Sequence, residues 1–139
     1  MTRTHRCPDS GQALLETAIT IPLMLLFLVG FLAVLIRVEA QVELDTATSL
    51  AAAAAVTAPA GSPLSATYAG ATWSGTLRQY SYLRPGTLDG CGPYQAGAAI
   101  TCRGSATLDY RQTPMGLLVP FPFRIESSAT AHSSRYRSR

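Results

Sequence analysis

The stretch GQALLETAIT, residues 11–20, places Glu16 five positions after Gly11 and at the edge of a long apolar run. An unpaired charge there is expensive, so Glu16 either snorkels to the headgroups or acquires a partner of opposite sign. A second candidate chemistry is redox. Cys91 and Cys102 lie in CGPYQAGAAITC, and in an oxidising compartment they can close a loop, a gain of about 2–3 kcal/mol from loop entropy. No metal site is expected, because His5 and His132 are not spaced to join the cysteines. No catalytic constellation is legible either: GxSxG, HExxH and a phosphate loop are absent, and no His stands near a Ser or Cys with an acid behind it. Beyond the apolar run the acids are Glu39, Glu43, Asp45, Asp89, Asp109 and Glu126. Asp109 and Glu126 fall on candidate strands, where each is expected to pair across the sheet with Arg111 or Arg124. Trp73 and the tyrosines read as core and rim of that sheet. The chain reads as a non-enzyme without a cofactor.

What must position Glu16 is a helix. From Thr17 to Ile36 runs TAITIPLMLLFLVGFLAVLI, twenty residues without a charge. A hydrocarbon core of about 30 Å needs about 20 helical residues, so this run is expected to span a membrane. Arg3 and Arg6 precede it with Asp9 as the only acid before Glu16, whereas Arg37 is followed by Glu39, Glu43 and Asp45. The positive-inside rule therefore keeps the N-terminus cytoplasmic and exports the rest. The formal charge of +3 does not indicate a nucleic-acid partner. Its basic residues are scattered, and the tail RYRSR at 135–139 reads as a solvated terminus.

Residues 1–11, MTRTHRCPDSG, read as a polar leader. Helix is expected from near Gln12, with Asp9 or Ser10 able to cap it, through the transmembrane segment 12–36 and on through an extracytoplasmic continuation, 37–58. Pro22 predicts a kink or the loss of one backbone bond. Residues 37–58 contain neither Gly nor Pro and are alanine-rich, and Pro59, Gly61 and Pro63 stop them. From Gln12 to Thr57 a continuous helix is about 69 Å long. The alanine block 51–55 lets another element approach its backbone closely. Past Pro63 the period changes to two: 65–83 suggests a hairpin turning at Ser74-Gly75, 84–97 a loop, 98–112 a strand, and 123–133 a last strand after the proline-rich TPMGLLVPFP. The expected fold is α+β: a long membrane-inserted N-terminal helix, then a small β-rich domain over 59–139 whose antiparallel sheet of about four strands packs on the helix end.

The arrangement G-Q-A-L-L-E resembles the processing site of type IV prepilins. Pro22 six positions after Glu16, the apolar stretch with Gly30, then Arg37 and an alanine-rich helix are similar to the TadE family of pseudopilins, which belong to the tight-adherence (Flp) pilus system. That family's pattern, G-x-A-x-x-E-F-A-x-x-x-P, is matched except that Thr17 replaces the aromatic. The resemblance is specific over 11–56 and weaker over 106–131. It implies a cut after Gly11 by a prepilin peptidase, Gln12 as the new N-terminus and Glu16 as the fifth residue. Cys7 then leaves with the leader. The new α-amine, with a reference pKa of about 8, is mostly protonated at neutral pH, and Glu16 of a neighbouring subunit can neutralise it and set axial register. The implied partners are the peptidase, an Flp-type pilin, a related pseudopilin, platform membrane proteins and membrane lipid. The implied place is the cytoplasmic membrane, with the domain outside or at the cell surface in a pilus, as a minor or initiating subunit.

Two other readings remain open in the sequence. One is a secreted domain cut after Ala40, although twenty apolar residues exceed a signal core of about 7–15. The other is a single-pass anchor carrying a binding module.

Overall fold

In the computed structural model the backbone is described for residues 9–133 and the side chains for 12–133. The leader before Asp9, with Arg3, His5, Arg6 and Cys7, and the tail RYRSR lie outside the described residues. Helix α1 runs over Asp9–Ala55, 47 residues and about 70 Å long. It begins three residues before the expected Gln12 and ends before Thr57. Pro22 lies inside it, where the missing N–H leaves the Ala18 carbonyl without its helical donor. The C-terminal carbonyls are satisfied by a tightening last turn, with Thr57 N–H on Ala54 at 3.1 Å and Ala58 N–H on Ala55 at 3.3 Å. The hydroxyl of Tyr94 then lies 2.9 Å from the Val56 carbonyl and 2.6 Å from that of Ala58.

The second element overturns the expected hairpin. Residues Leu64–Leu77 form helix α2, with Ser74 and Gly75 inside it. Thr, Ser, Gly and Trp are poor helix formers, but Ser65, Ala69, Trp73 and Leu77 recur every fourth residue and all four are buried. Docking of that stripe on α1 outweighs local preference. The matching face of α1 is Ala40, Leu44, Ala47, Ala51 and Ala55, each with no exposed surface. Small side chains there let α2 run back along α1, so that Trp73 reaches the level of Thr48 and Tyr80 the level of Glu43.

The sheet has three strands, not four, in the order β1 (Leu83–Asp89), β2 (Ala99–Leu108), β3 (Phe123–His132), all antiparallel. Residues 84–89, expected as loop, belong to β1. An edge strand accepts Pro85, and the register slips between Pro85 and Leu88, where the Ser105 hydroxyl accepts from Thr87 N–H at 3.1 Å. Strand β2 stops at Leu108, and Tyr110–Gln112 is a 3₁₀ turn. Cys102, Gly104, Ala106 and Leu108 face the helices with Ile125 of β3. Thr101, Arg103, Ser105, Arg124, Glu126 and Thr130 form the polar opposite face. The far edge is guarded at one point, since Gln41 Nε2 donates to the Glu126 carbonyl at 3.0 Å. The expected cross-strand ion pairs are replaced. Asp109 pairs with Arg84 at 2.9 Å, and Glu126 pairs with Arg124 of its own strand at 3.1 Å.

Cys91 and Cys102 form a disulfide with Cα atoms 4.9 Å apart, closing the segment between β1 and β2. Tyr94 in that segment also accepts from Gly61 N–H at 2.8 Å, so the loop is tied to the end of α1. For a sequence separation of 11, loop entropy assigns the bond about 3 kcal/mol. Cys91→Ser is expected to lower unfolding free energy by that amount, read from denaturant titrations in detergent; an unchanged midpoint would show that the loop is held by Tyr94 alone.

Candidate processing and assembly site

Gly11, Gln12 and Glu16 share the first turns of α1. Gln12 Nε2 donates to Glu16 Oε1 at 3.2 Å, and the Thr17 hydroxyl donates to the Ala13 carbonyl at 2.7 Å. Every side chain from Gln12 to Leu28 is exposed. This bare segment holds Met24, Leu26 and Phe27, each about two-thirds exposed, an arrangement that water does not tolerate. Among the described residues one helix is long and apolar enough to cross a membrane, and it is this one. The chain thus divides physically at Val29. Residues 12–28 are exposed on every side; from Val29 on, one face packs against the domain core.

The other sequence candidates lie elsewhere. The Cys91–Cys102 bridge is in the domain, beyond the packed half of α1, and has no part in the Gly11–Glu16 turn. Among the described residues no three His, Cys, Asp or Glu side chains cluster as a metal site would require. A shallow cleft on the polar sheet face is lined by Asp89, Arg103, Ser105, Arg124 and Glu126, but Ser105 is engaged with the Thr87 hydroxyl at 3.1 Å.

Two features near the foot of the domain were not legible as a site. The carboxylate of Asp109 accepts from Arg111 N–H at 3.1 Å and caps the 3₁₀ turn that carries Tyr110. Tyr110 is buried, and its hydroxyl donates to the Ala33 carbonyl at 3.1 Å, within the uncharged run. Burial raises its pKa above the ordinary tyrosine value, against an opposing effect of Arg37. The second is an acidic and phenolic group beside α1. Hydrogen bonding to Glu43, then desolvation, raises Tyr80; burial, then the charges of Glu39 and Glu43, raises Tyr82. The Tyr82 hydroxyl is buried without a partner.

A tyrosine whose folded pKa is raised favours the folded state in its neutral form. That contribution is complete below the unfolded value of about 10 and is lost as pH rises above it. Stability is therefore expected to fall on the alkaline side of pH 10. Tyr82→Phe should flatten that limb and, by removing an unsatisfied hydroxyl, leave neutral-pH stability unchanged or raised by up to about 1 kcal/mol. Melts at pH 7 and above pH 10 check both. A steep alkaline limb retained in the variant would remove Tyr82 as its source.

Comparison with protein-family models, with curated proteins and with solved structures finds no match to this chain.

Proposed function

We propose that this chain is a TadE-like minor pilin, or pseudopilin: a non-enzymatic subunit held in the cytoplasmic membrane by α1, cut after Gly11 by a prepilin peptidase, and used in assembling a tight-adherence pilus. One observation carries the reading. A glutamate five residues past a glycine opens a bare apolar half-helix, and the other half of the same unbroken helix is the spine of a small disulfide-closed domain. A subunit so built can slide out of lipid and into a bundle of like helices without refolding, because residues 12–28, the bare part of its span, support none of the domain. The cut converts Gln12 into a cationic terminus. Glu16, exposed one turn away, is available to neutralise that terminus on an adjoining subunit, since a pair costs far less in hydrocarbon than two lone ions. Flp-type pilin, a second pseudopilin and the platform proteins are the partners this role requires, with the N-terminus inside and the domain outside.

The packing of Ala40 favours this reading over secretion. Ala40 has no exposed surface and Gln41 bonds the edge of β3. A cut between them would sever the helix that covers the sheet. N-terminal sequencing of the native protein separates the readings: a start at Gln12 supports the pilin role, Gln41 a secreted domain, and Met1 or Thr2 a plain anchor. Glu16→Ala is expected to be cut normally yet to abolish or severely reduce pilus formation, scored by surface fibre counts. Wild-type fibres from that variant would remove the pairing.

A further inference from the structure

Between the 3₁₀ turn and β3 the chain runs through TPMGLLVPFP, residues 113–122, and its apolar side chains largely face outward. Leu117 is 97% exposed, Phe121 68% and Leu118 60%. Only Met115 is buried, with Val119 half-buried behind it. Each outward leucine or phenylalanine forgoes about 1.5–3 kcal/mol relative to burial, so three together on one loop mark a contact surface. Much of the backbone is satisfied locally, since Pro114, Pro120 and Pro122 have no N–H, and Gly116, Leu118 and Val119 donate to the Thr113 and Met115 carbonyls at 2.9–3.0 Å. The N–H groups of Leu117 and Phe121 make no such bond, which suits the hydrated boundary rather than the hydrocarbon core.

The position of the loop identifies what covers it. Tyr110, at its root, holds the Ala33 carbonyl, and Phe123, at its other end, stands edge-on against Tyr110 with ring centres 5.7 Å apart. Ala33 lies four residues, about 6 Å of helix, inside the uncharged run that Arg37 ends. Val29 and Ile36 of that run also pack against the domain. If the domain stood wholly in water, the uncharged run would leave only residues 17–28 for lipid, about 18 Å of helix. Even the whole bare segment 12–28 gives about 26 Å against about 30 Å of hydrocarbon. The deficit disappears when the foot of the domain shares the depth of residues 29–36. Arg111 lies beside Pro122, in a cleft where Arg84 is paired with Asp109, and Arg37 is one turn past Ala33. Arg111 and Arg37 are the cations that headgroup phosphates would meet at that depth.

We propose that the loop Thr113–Phe123 is a second membrane contact: Leu117, Leu118 and Phe121 enter the headgroup–acyl boundary of the leaflet through which α1 emerges. The domain then lies against the bilayer at two points, and the Tyr110–Ala33 bond holds the two at matched depth. An insertion of about 5–10 Å is the range for interfacial apolar elements. The proposal rests on α1 spanning the membrane and is independent of the pilus role.

The test uses full-length protein carrying Cys7→Ser and Leu117→Cys, with the disulfide kept oxidised. It is labelled with an environment-sensitive fluorophore and reconstituted in phosphatidylethanolamine–phosphatidylglycerol vesicles. Leu117 makes almost no internal contact, so the substitution spares folding. Met24→Cys in the same background reports on the span. Spin-labelled lipid with the label near the headgroup is expected to quench position 117 more than lipid labelled at the chain end, iodide is expected to quench it little, and Met24 should favour the deep label. Iodide quenching at 117 without lipid quenching, with Met24 normal, would put the loop in water and overturn the proposal. Protection of 117 from both quenchers would mean that protein, such as a second copy, covers it, and would overturn it equally. If Met24 is also untouched by either lipid label, the span fails and the loop contact fails with it.

Discussion

Gly11→Leu is expected to yield membrane-bound chain of uncut length, starting at Met1 or Thr2, with processing lost almost completely. Two physical effects act together. A leucine adds a side chain at the residue before the cut, where glycine presents bare backbone. It also strengthens the turn that must open, because glycine disfavours a helix by about 0.8–1 kcal/mol relative to alanine and leucine is among the better formers. Since α1 already includes Gly11, the proposed cut lies within its first turn, and a peptidase would have to unwind that turn to reach it. The domain should be untouched. Val29, the first residue of α1 that packs on it, is about 27 Å of helix away. Intact mass and N-terminal sequencing read the outcome, and an unchanged disulfide and melting point serve as controls. A mature start at Gln12 in this variant would end the assignment of Gly11 as the processing glycine.

Gly104→Val is expected to damage the domain more than any surface change, by about 3 kcal/mol, or a fall in Tm of roughly 10–20 °C for a domain of this size. Gly104 on β2 is where the three packed elements meet. A Cβ there would lie 2.7 Å from Thr48 Oγ1 of α1 and 2.9 Å from Trp73 Nε1 of α2. Neither neighbour yields easily. Thr48 is fully buried and its hydroxyl bonds the Leu44 carbonyl at 2.8 Å, while Trp73 is buried in the stripe that docks α2. Thermal melts in detergent, followed by circular dichroism, check the effect, and Gly104→Ala should fall between wild type and valine. A wild-type melting point for the valine variant would mean that the helices do not press on the sheet as closely as these distances require.

The one-dimensional signals in this chain are strong where a single physical requirement dominates a long stretch. Twenty uncharged residues followed by an alanine-rich run without Gly or Pro form a helix whatever surrounds them, and α1 follows. The oxidisable pair Cys91 and Cys102 is close in sequence, and the bond is present. Strand β3 was legible because Phe123–His132 alternates between a face on the helices and a polar face. Local preference misleads where partners decide. Residues 64–77 have the composition of strands, yet Ala69, Trp73 and Leu77 make a stripe that only the alanine face of α1 can bury. Pro85 and Gly86 look like a loop until an edge position frees the chain from one row of hydrogen bonds. Asp109 was expected to pair with Arg111 or Arg124, but the fold brings Arg84 to its carboxylate and leaves it to cap the turn below Tyr110.

The amino-acid order alone therefore determined the long apolar helix, the Gly11–Glu16 spacing and the bridge, because each depends on residues near one another along the chain. Tertiary structure alone decided that Tyr110 reaches Ala33, nearly eighty positions away, and so roots TPMGLLVPFP next to a residue bonded to the apolar helix. Such contacts arise from closing non-local loops around a shared core, and no local pattern encodes which distant surface a segment will meet.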